Sequence, residues 1–233
     1  MNSLQRIMAA VAFQPPDRVP VITQVFGHAA FLAGAPLRQY LCDGKVLADC
    51  QLQALRYYEH DAVFSLMDVY VETEAIGSVL SYPDNQYPFV HSHALQNGVD
   101  VENLSLPDPS RSGRMPQLIK AATLLREAVG EEVLIVGCVV GPMTLATQLM
   151  GIEAALFAAA DDPEYFSRLL TFCKEVIVKF GIAQIEAGVH TPVVFDPSAS
   201  GTLIPPQFFR EFELPLLAEI FAAFRNAGAI ANW

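Results

Sequence analysis

The chain has 233 residues, 25 acidic and 14 basic, for a formal net charge of −11, with 52% hydrophobic and 17% charged side chains. That length admits one large domain or two small ones, and the apolar share excludes wholesale disorder. The acidic balance, without a cluster of Lys and Arg, speaks against a nucleic-acid groove or an anionic-membrane surface as partner.

The first expected element is an amphipathic helix from Ser3 to Phe13. Its apolar run after Arg6 is seven residues long and reaches Gln14-Pro15-Pro16 without a secretory cleavage pattern, so a cytosolic protein is expected. A β-rich run, Arg18-Val19-Pro20-Val21-Ile22-Thr23, comes next. Asp43 then caps a helix to His60, with Val46, Leu47, Cys50, Ala54, Leu55 and Tyr58 on one side. The second strand, Asp61 to Met67, ends at Asp68. Between Gly77 and Leu106 the helical period disappears, and Val79–Tyr82 with Pro88–His91 predict a β excursion around Pro83-Asp84-Asn85-Gln86-Tyr87.

Helical spacing returns from Pro116 to Val129 and stops at Gly130. The charge-free stretch from Val133 to Ile152 has the length of a membrane span. Gly137, Gly141-Pro142, Thr144, Thr147 and Gln148 interrupt it, and its order reads instead as a buried strand, a turn and a helix. Asp162-Pro163 caps and opens a long helix ending near Gly188. A fourth strand, Thr191 to Phe195, closes on Asp196. Pro205-Pro206 opens a helix to about Arg225, kinked by Pro215, and Gly228 to Trp233 begins a fifth strand.

Strands alternating with helices, most of them apolar on both faces, indicate an α/β fold with a parallel sheet. No low-complexity tract or repeat divides residues 1–233, so a single domain is expected. A (β/α)8 barrel and an open doubly wound sheet both fit. The barrel is favoured because no Gly-rich dinucleotide fingerprint follows the first strand and polar residues gather at strand ends. Five strands in this length fall short of the eight that a closed barrel needs.

Asp68 and Asp196 each follow an apolar strand, so in a barrel both face the C-terminal mouth, where carboxylates orient polar ligands or hold a cation or proton. Each can equally well cap the loop that follows. The hydroxyl-rich turn Asp196-Pro197-Ser198-Ala199-Ser200-Gly201 and the helix start presenting Thr144 or Gln148 are weaker candidates for the same mouth. Glu72 and Glu74 read as ordinary loop acids, and His91 with His93 as a solvated hairpin pair. Cys42, Cys50, Cys138 and Cys173 match no zinc spacing and read as buried apolar residues. No nucleophile elbow, P-loop or HExxH motif is present.

Arg18-Val19-Pro20-Val21, DVYVETEAIG from Asp68 to Gly77, GPMTLATQLMG at 141–151 and FDPSASGTLIPPQFFREFELPLL at 195–217 together resemble the uroporphyrinogen decarboxylase superfamily, in order and spacing, over essentially the whole chain. The resemblance implies a (β/α)8 barrel, of which this sequence would supply about the first five β/α units. It also implies one of two activities: decarboxylation of uroporphyrinogen, or methyl transfer between a corrinoid and a thiol by the zinc-dependent methylcobamide:coenzyme M methyltransferases. The decarboxylase branch carries two arginines after the first strand to hold substrate carboxylates; here the stretch is Thr23-Gln24-Val25-Phe26-Gly27-His28-Ala29, without an arginine. The tyrosine of that branch falls on Gln148, and its pyrrole-binding aspartate is kept as Asp68. A polyanionic porphyrinogen would be poorly compensated without the arginines.

The stretches at 68–77 and 196–200 resemble the methyltransferase branch more closely. The expected function is therefore corrinoid-dependent methyl transfer to a thiol-type acceptor, with decarboxylation or a non-catalytic tetrapyrrole-binding role as alternatives. Asp68 is the expected catalytic residue, with Asp196, Ser198, Gln148 and His28 lining the substrate site, and Asp68→Ala is expected to abolish turnover with the fold intact. A corrinoid protein or free corrinoid is the implied partner. Zinc is implied by the resemblance, with its ligands downstream of Trp233, so no metal ligand is expected within 1–233. An incomplete barrel would leave a bare strand edge, from which self-association is expected.

Overall fold

The computed structural model describes residues 1–96 and 99–230. Helix α1 (Ser3–Val11) opens on a reciprocal capping box, in which Asn2 accepts from the Gln5 amide and the Gln5 side chain accepts from the Asn2 amide. Helices α2 (Phe26–Ala33), α3 (Leu37–Cys42) and α4 (Gly44–Tyr58) follow, and Asp43 Oδ1 caps α4 by accepting from Lys45 N at 2.7 Å. Strand β1 (Ala62–Ser65) leads into α5 (Val71–Ile76). Strands β2 (Val79–Ser81) and β3 (Phe89–Ser92) then pair antiparallel, forming the expected β excursion.

Helix α6 (Met115–Val129) ends at Gly130, which combines φ 55° with ψ −127°, a pairing that suits only a residue without Cβ. Strand β4 (Leu134–Val140), α7 (Pro142–Met150) and α8 (Ile152–Asp161) resolve the charge-free stretch into strand, turn and helix. Helix α9 (Pro163–Glu186) is capped by Asp162, which accepts from Tyr165 N at 3.0 Å, and is followed by β5 (Thr191–Phe195). A short α10 (Pro206–Phe208) passes through a π-helical turn at Phe209–Glu213 into α11 (Leu214–Asn226). The wide turn sits just ahead of Pro215, whose ring nitrogen has no hydrogen to donate, so the helix absorbs the proline by local unwinding.

Strands β1, β4 and β5 form a parallel sheet in the order β1-β4-β5, with Ser65 opposite Gly137 and Val140 opposite Phe195. Five such strands are expected from the sequence, and three occur among the described residues. Residues 18–23 form no ladder, and the chain bends at Arg18. Asp61 N donates to Val21 O at 2.7 Å, yet Val21 N turns to the Asp61 carboxylate and Pro20 has no donor. The expected fifth strand, Gly228 to Trp233, lies half outside the described residues; its described half, Gly228–Ile230, forms no strand, and Ile230 N donates to His190 O at 2.9 Å, beside the start of β5.

The two faces of the sheet are covered differently. Val63 and Ile135 point outward into a layer with Ala48, Ala122 and Leu125 of α4 and α6. Phe64, Val136 and Cys138 point inward and meet Ile7 of α1, which closes the N-terminal end of that face. The larger core joins α4, α6, α7, α9 and α11, where Gly181 lets the Phe224 ring approach so closely that a Cβ would lie 2.2 Å from it. Asp61, fully buried before β1, fastens the N-terminal segment: it accepts from Arg6 Nη1 at 2.6 Å, Arg18 Nη1 at 2.7 Å and Ser3 Oγ at 2.8 Å.

Candidate active site at the C-terminal ends of the strands

Parallel pairing places the C-terminal ends of β1, β4 and β5 on one edge, and the segments that leave it carry the polar residues singled out from the sequence. Asp68 leaves β1, Gly141 leaves β4, where its amide donates to Phe195 O at 2.8 Å, and Asp196 leaves β5. Helix α7 forms the common wall. Gln148 on it donates to Val69 O at 3.0 Å and accepts from Thr73 Oγ1 at 2.5 Å, while Thr144 and Thr147 face the turn after β5.

Asp68 is buried in an ion pair absent from the sequence-based expectations. Arg114, the residue before α6, donates from Nη1 to Asp68 Oδ2 at 2.5 Å and from Nη2 to Oδ1 at 3.1 Å. Its Nε donates to Glu74 at 2.7 Å and Nη1 also reaches Leu41 O at 2.8 Å. Burial works against the Arg114 charge, but the two carboxylates outweigh it and raise its pKa further. Tyr70 N donates to Asp68 Oδ1 at 2.9 Å, so three of the roughly four acceptor positions of the Asp68 carboxylate are taken. One signal for Arg114 was available: a cation at a helix N-terminus opposes the macrodipole, so Arg114 needs a carboxylate elsewhere to hold it there.

Asp196 sits under the N-terminus of α7 as its cap. Its Oδ1 accepts from Thr144 N at 2.8 Å and Thr144 Oγ1 at 2.6 Å, and it packs so tightly on Gly141 that a Cβ there would lie 2.2 Å from Oδ2. Ser198 N donates to Thr144 Oγ1 at 3.1 Å, and its hydroxyl lies 3.1 Å from Thr147 Oγ1. Asp68, Gln148, Asp196 and Ser198 are thus brought to one rim. His28 is not among them. It is exposed on α2, with Nε2 2.7 Å from Tyr58 OH beside the end of α4. Phe26, two residues earlier and so about 200° around the helix, is the α2 residue that turns to the mouth.

A cavity of about 380 Å³ opens at this rim, lined by Phe26, Leu66, Met67, Asp68, Val69, Tyr70, Tyr87, Pro88 and Phe195. Its walls are mainly apolar, it contains no Lys or Arg, and the nearby Arg114 is committed to Asp68 and Glu74. Glu72, behind the mouth, is buried and accepts from Val140 N at 2.9 Å; burial pushes its carboxyl up to about 7. A second cleft of about 370 Å³, lower on the same face of the sheet, has only Gln24 and Thr191 as polar lining residues and no titratable one. The titratable side chains therefore gather at the rim and not in this cleft. Among the described residues no group of three His, Cys, Asp or Glu side chains is placed to hold a metal. Cys50, Cys138 and Cys173 are buried and Cys42 half-buried, and burial pushes all four thiols up, away from the thiolate that zinc requires. The described residues do not fit a zinc centre.

Among curated proteins, the chain is 28% identical over 228 residues to the methylcobamide:CoM methyltransferase MtbA of Methanosarcina acetivorans, covering 95% of this chain and 66% of that protein. It is also 28% identical over 235 residues to the uroporphyrinogen decarboxylase of Pseudoalteromonas atlantica, covering 94% and 65%. The chain thus spans just under two thirds of the length of these relatives. Among solved structures, a methyltransferase from Methanosarcina mazei superimposes with a TM-score of 0.88 at 26% identity, over 96% of this chain and 67% of that one. The parallel β/α units are therefore part of a barrel of that type. The profile of the uroporphyrinogen decarboxylase (URO-D) family matches residues 2–231, and the chain belongs to that family.

Proposed function

We propose that the rim serves methyl transfer between a corrinoid and a thiol-type acceptor in a cytoplasmic enzyme. The observation that carries this reading is the mouth itself: apolar walls, one carboxylate already neutralised by Arg114, and no free cation to receive a polycarboxylate. A substrate that enters such a mouth without cationic clamps is one whose reacting group is neutral and apolar. A methylated corrinoid, when bound, would supply such a group: a methyl carbon to which the acceptor thiolate would bond while the corrinoid leaves with the electron pair of the broken bond.

The chain's own residues do the rest. Phe26, Tyr87 and Phe195 exclude water from the mouth, which strengthens every polar contact inside it. The remaining acceptor position of Asp68 orients a donor on the bound ligand, and Asp196 with Ser198 fixes the turn that borders it. Gln148, held by Val69 and Thr73, keeps the loop after β1 against α7 and acts as a wall more than as a contact. The likeness to methylcobamide:CoM methyltransferases supports the reading. The alternative is decarboxylation, favoured by Asp68 standing where the resemblance puts the pyrrole-binding carboxylate.

Calorimetric titration of the purified protein with methylcobalamin and, separately, with an octacarboxylate porphyrin separates the two. Corrinoid binding that is insensitive to salt, with weak porphyrin binding, is expected. Tight porphyrin binding that weakens steeply with salt would overturn the reading, because only a cationic clamp produces it.

A further inference from the structure

Near the mouth lies a further buried acid to which the proposed chemistry assigns no role. Glu213 closes the π-helical turn ahead of α11 and has no solvent exposure. Its carboxyl lies within hydrogen-bonding reach of Asp196. Neither Glu213 oxygen receives a hydrogen bond from any donor among the described residues, and neither does Asp196 Oδ2. Asp196 Oδ1, by contrast, is doubly held by Thr144. Three acceptor oxygens thus converge without a donor, in a place that water does not reach.

Two ionised carboxylates in that arrangement would repel one another and lack the hydrogen bonds that buried charges require. One proton resolves it, because a protonated carboxyl is a donor. We propose that Glu213 is a neutral carboxylic acid that donates its hydrogen to Asp196 Oδ2, and so acts as the positioning residue that holds the 196–200 turn at the mouth. The surroundings agree. Helix α7 carries no charged side chain, α9 presents Cys173, and the remaining titratable neighbour is Asp196 itself. Burial and then the Asp196 contact push the Glu213 carboxyl up to about 10, which the Met143 amide, although it makes no hydrogen bond to either oxygen, only partly offsets. Gly141 leaves the space in which Asp196 can be bonded from both sides. The wide turn at 209–213 presents Glu213 inward, as such turns often do at functional sites.

The inference does not depend on which reaction the rim performs, so its test needs no substrate. The full chain and its Glu213→Gln and Glu213→Ala variants are compared by urea unfolding across pH and by infrared spectroscopy in D2O. Gln keeps an N–H donor toward Asp196 and cannot ionise; Ala removes the donor. Glu213 binds a proton in the folded state and releases it on unfolding, at every pH between its ordinary value of 4.5 and about 10. The folding constant of the parent should therefore fall by up to about tenfold per pH unit relative to Glu213→Gln across that window. The parent should also show a carboxylic-acid carbonyl band near pH 8 that Glu213→Gln lacks, and Glu213→Ala should be less stable than Glu213→Gln throughout. A parent without that band, or equal pH slopes in parent and Glu213→Gln, would overturn the proposal.

Discussion

At the residue scale the decisive fact is that the acids of the rim are already engaged. From the sequence, Asp68→Ala was expected to remove turnover and spare the fold; the structure changes that expectation, because the variant leaves the buried Arg114 guanidinium facing only Glu74 and the Leu41 carbonyl. Breaking one side of a buried pair costs about 3 kcal/mol or more. Urea unfolding of Asp68→Ala should show a loss of that order, and part of it should return in Asp68→Ala/Arg114→Leu, where no unpaired charge remains. Full stability in the single variant would refute the pairing. Glu72 gives a pH signature of its own. Its folded pKa, about 7, lies above its ordinary 4.5, so its contribution is greatest below 4.5 and is lost as pH rises through about 7. Glu72→Gln should remove that decline, as seen in the pH dependence of the urea midpoint. Asp68 and Asp196 were legible from sequence because each directly follows a β-rich run. Glu213 was not, and for Arg114 the helix-start position hinted at a carboxylate without naming Asp68, since each is joined to its partner by tertiary packing that no local pattern encodes.

At the element scale, α7 organises the rim because the strand before it, the loop after β1 and the turn after β5 are all bonded to it. Its N-terminus is capped in trans by Asp196, and the close approach depends on Gly141. Gly141→Ala should push Asp196 off the helix, costing about 1–3 kcal/mol through overpacking and reducing turnover at the mouth. A melting temperature unchanged from the parent would show that the contact is looser than described. Element types followed closely from periodicity and caps: Asp43, Gly130 and Asp162-Pro163 bound helices as expected. The β-rich run at 18–23 did not become a strand, since a β-branched composition cannot supply ladder bonds when Pro20 lacks a donor and Asp61 captures the Val21 amide. His28 was placed at the mouth by its position after the first β run, whereas helical phase turns it outward and leaves Phe26 facing in.

At the scale of the whole molecule, the fold is a sheet wrapped by helices on one face and only partly covered on the other. Val193 of the edge strand is 37% exposed, and Val19, Val21 and Ile22 lie open nearby. Exposed apolar surface of this kind favours contact with another chain. Sedimentation of the 233-residue chain should therefore show dimers or larger species, and a monodisperse 25.4 kDa species at high concentration would contradict this. Asp61 governs the opposite end. Asp61→Ala should remove the acceptor that Ser3, Arg6 and Arg18 share, leaving Arg6 only its pair with Asp17, and loosen residues 1–21, seen as faster hydrogen exchange there than at the rim. The central claim concerns the rim, and one measurement reaches it directly: the products formed by the protein purified from its native source, given methylcobalamin with a thiol in one reaction and uroporphyrinogen in another. The methylated thiol, with uroporphyrinogen left intact, is the result this account expects; coproporphyrinogen, with no methyl transfer, would contradict it.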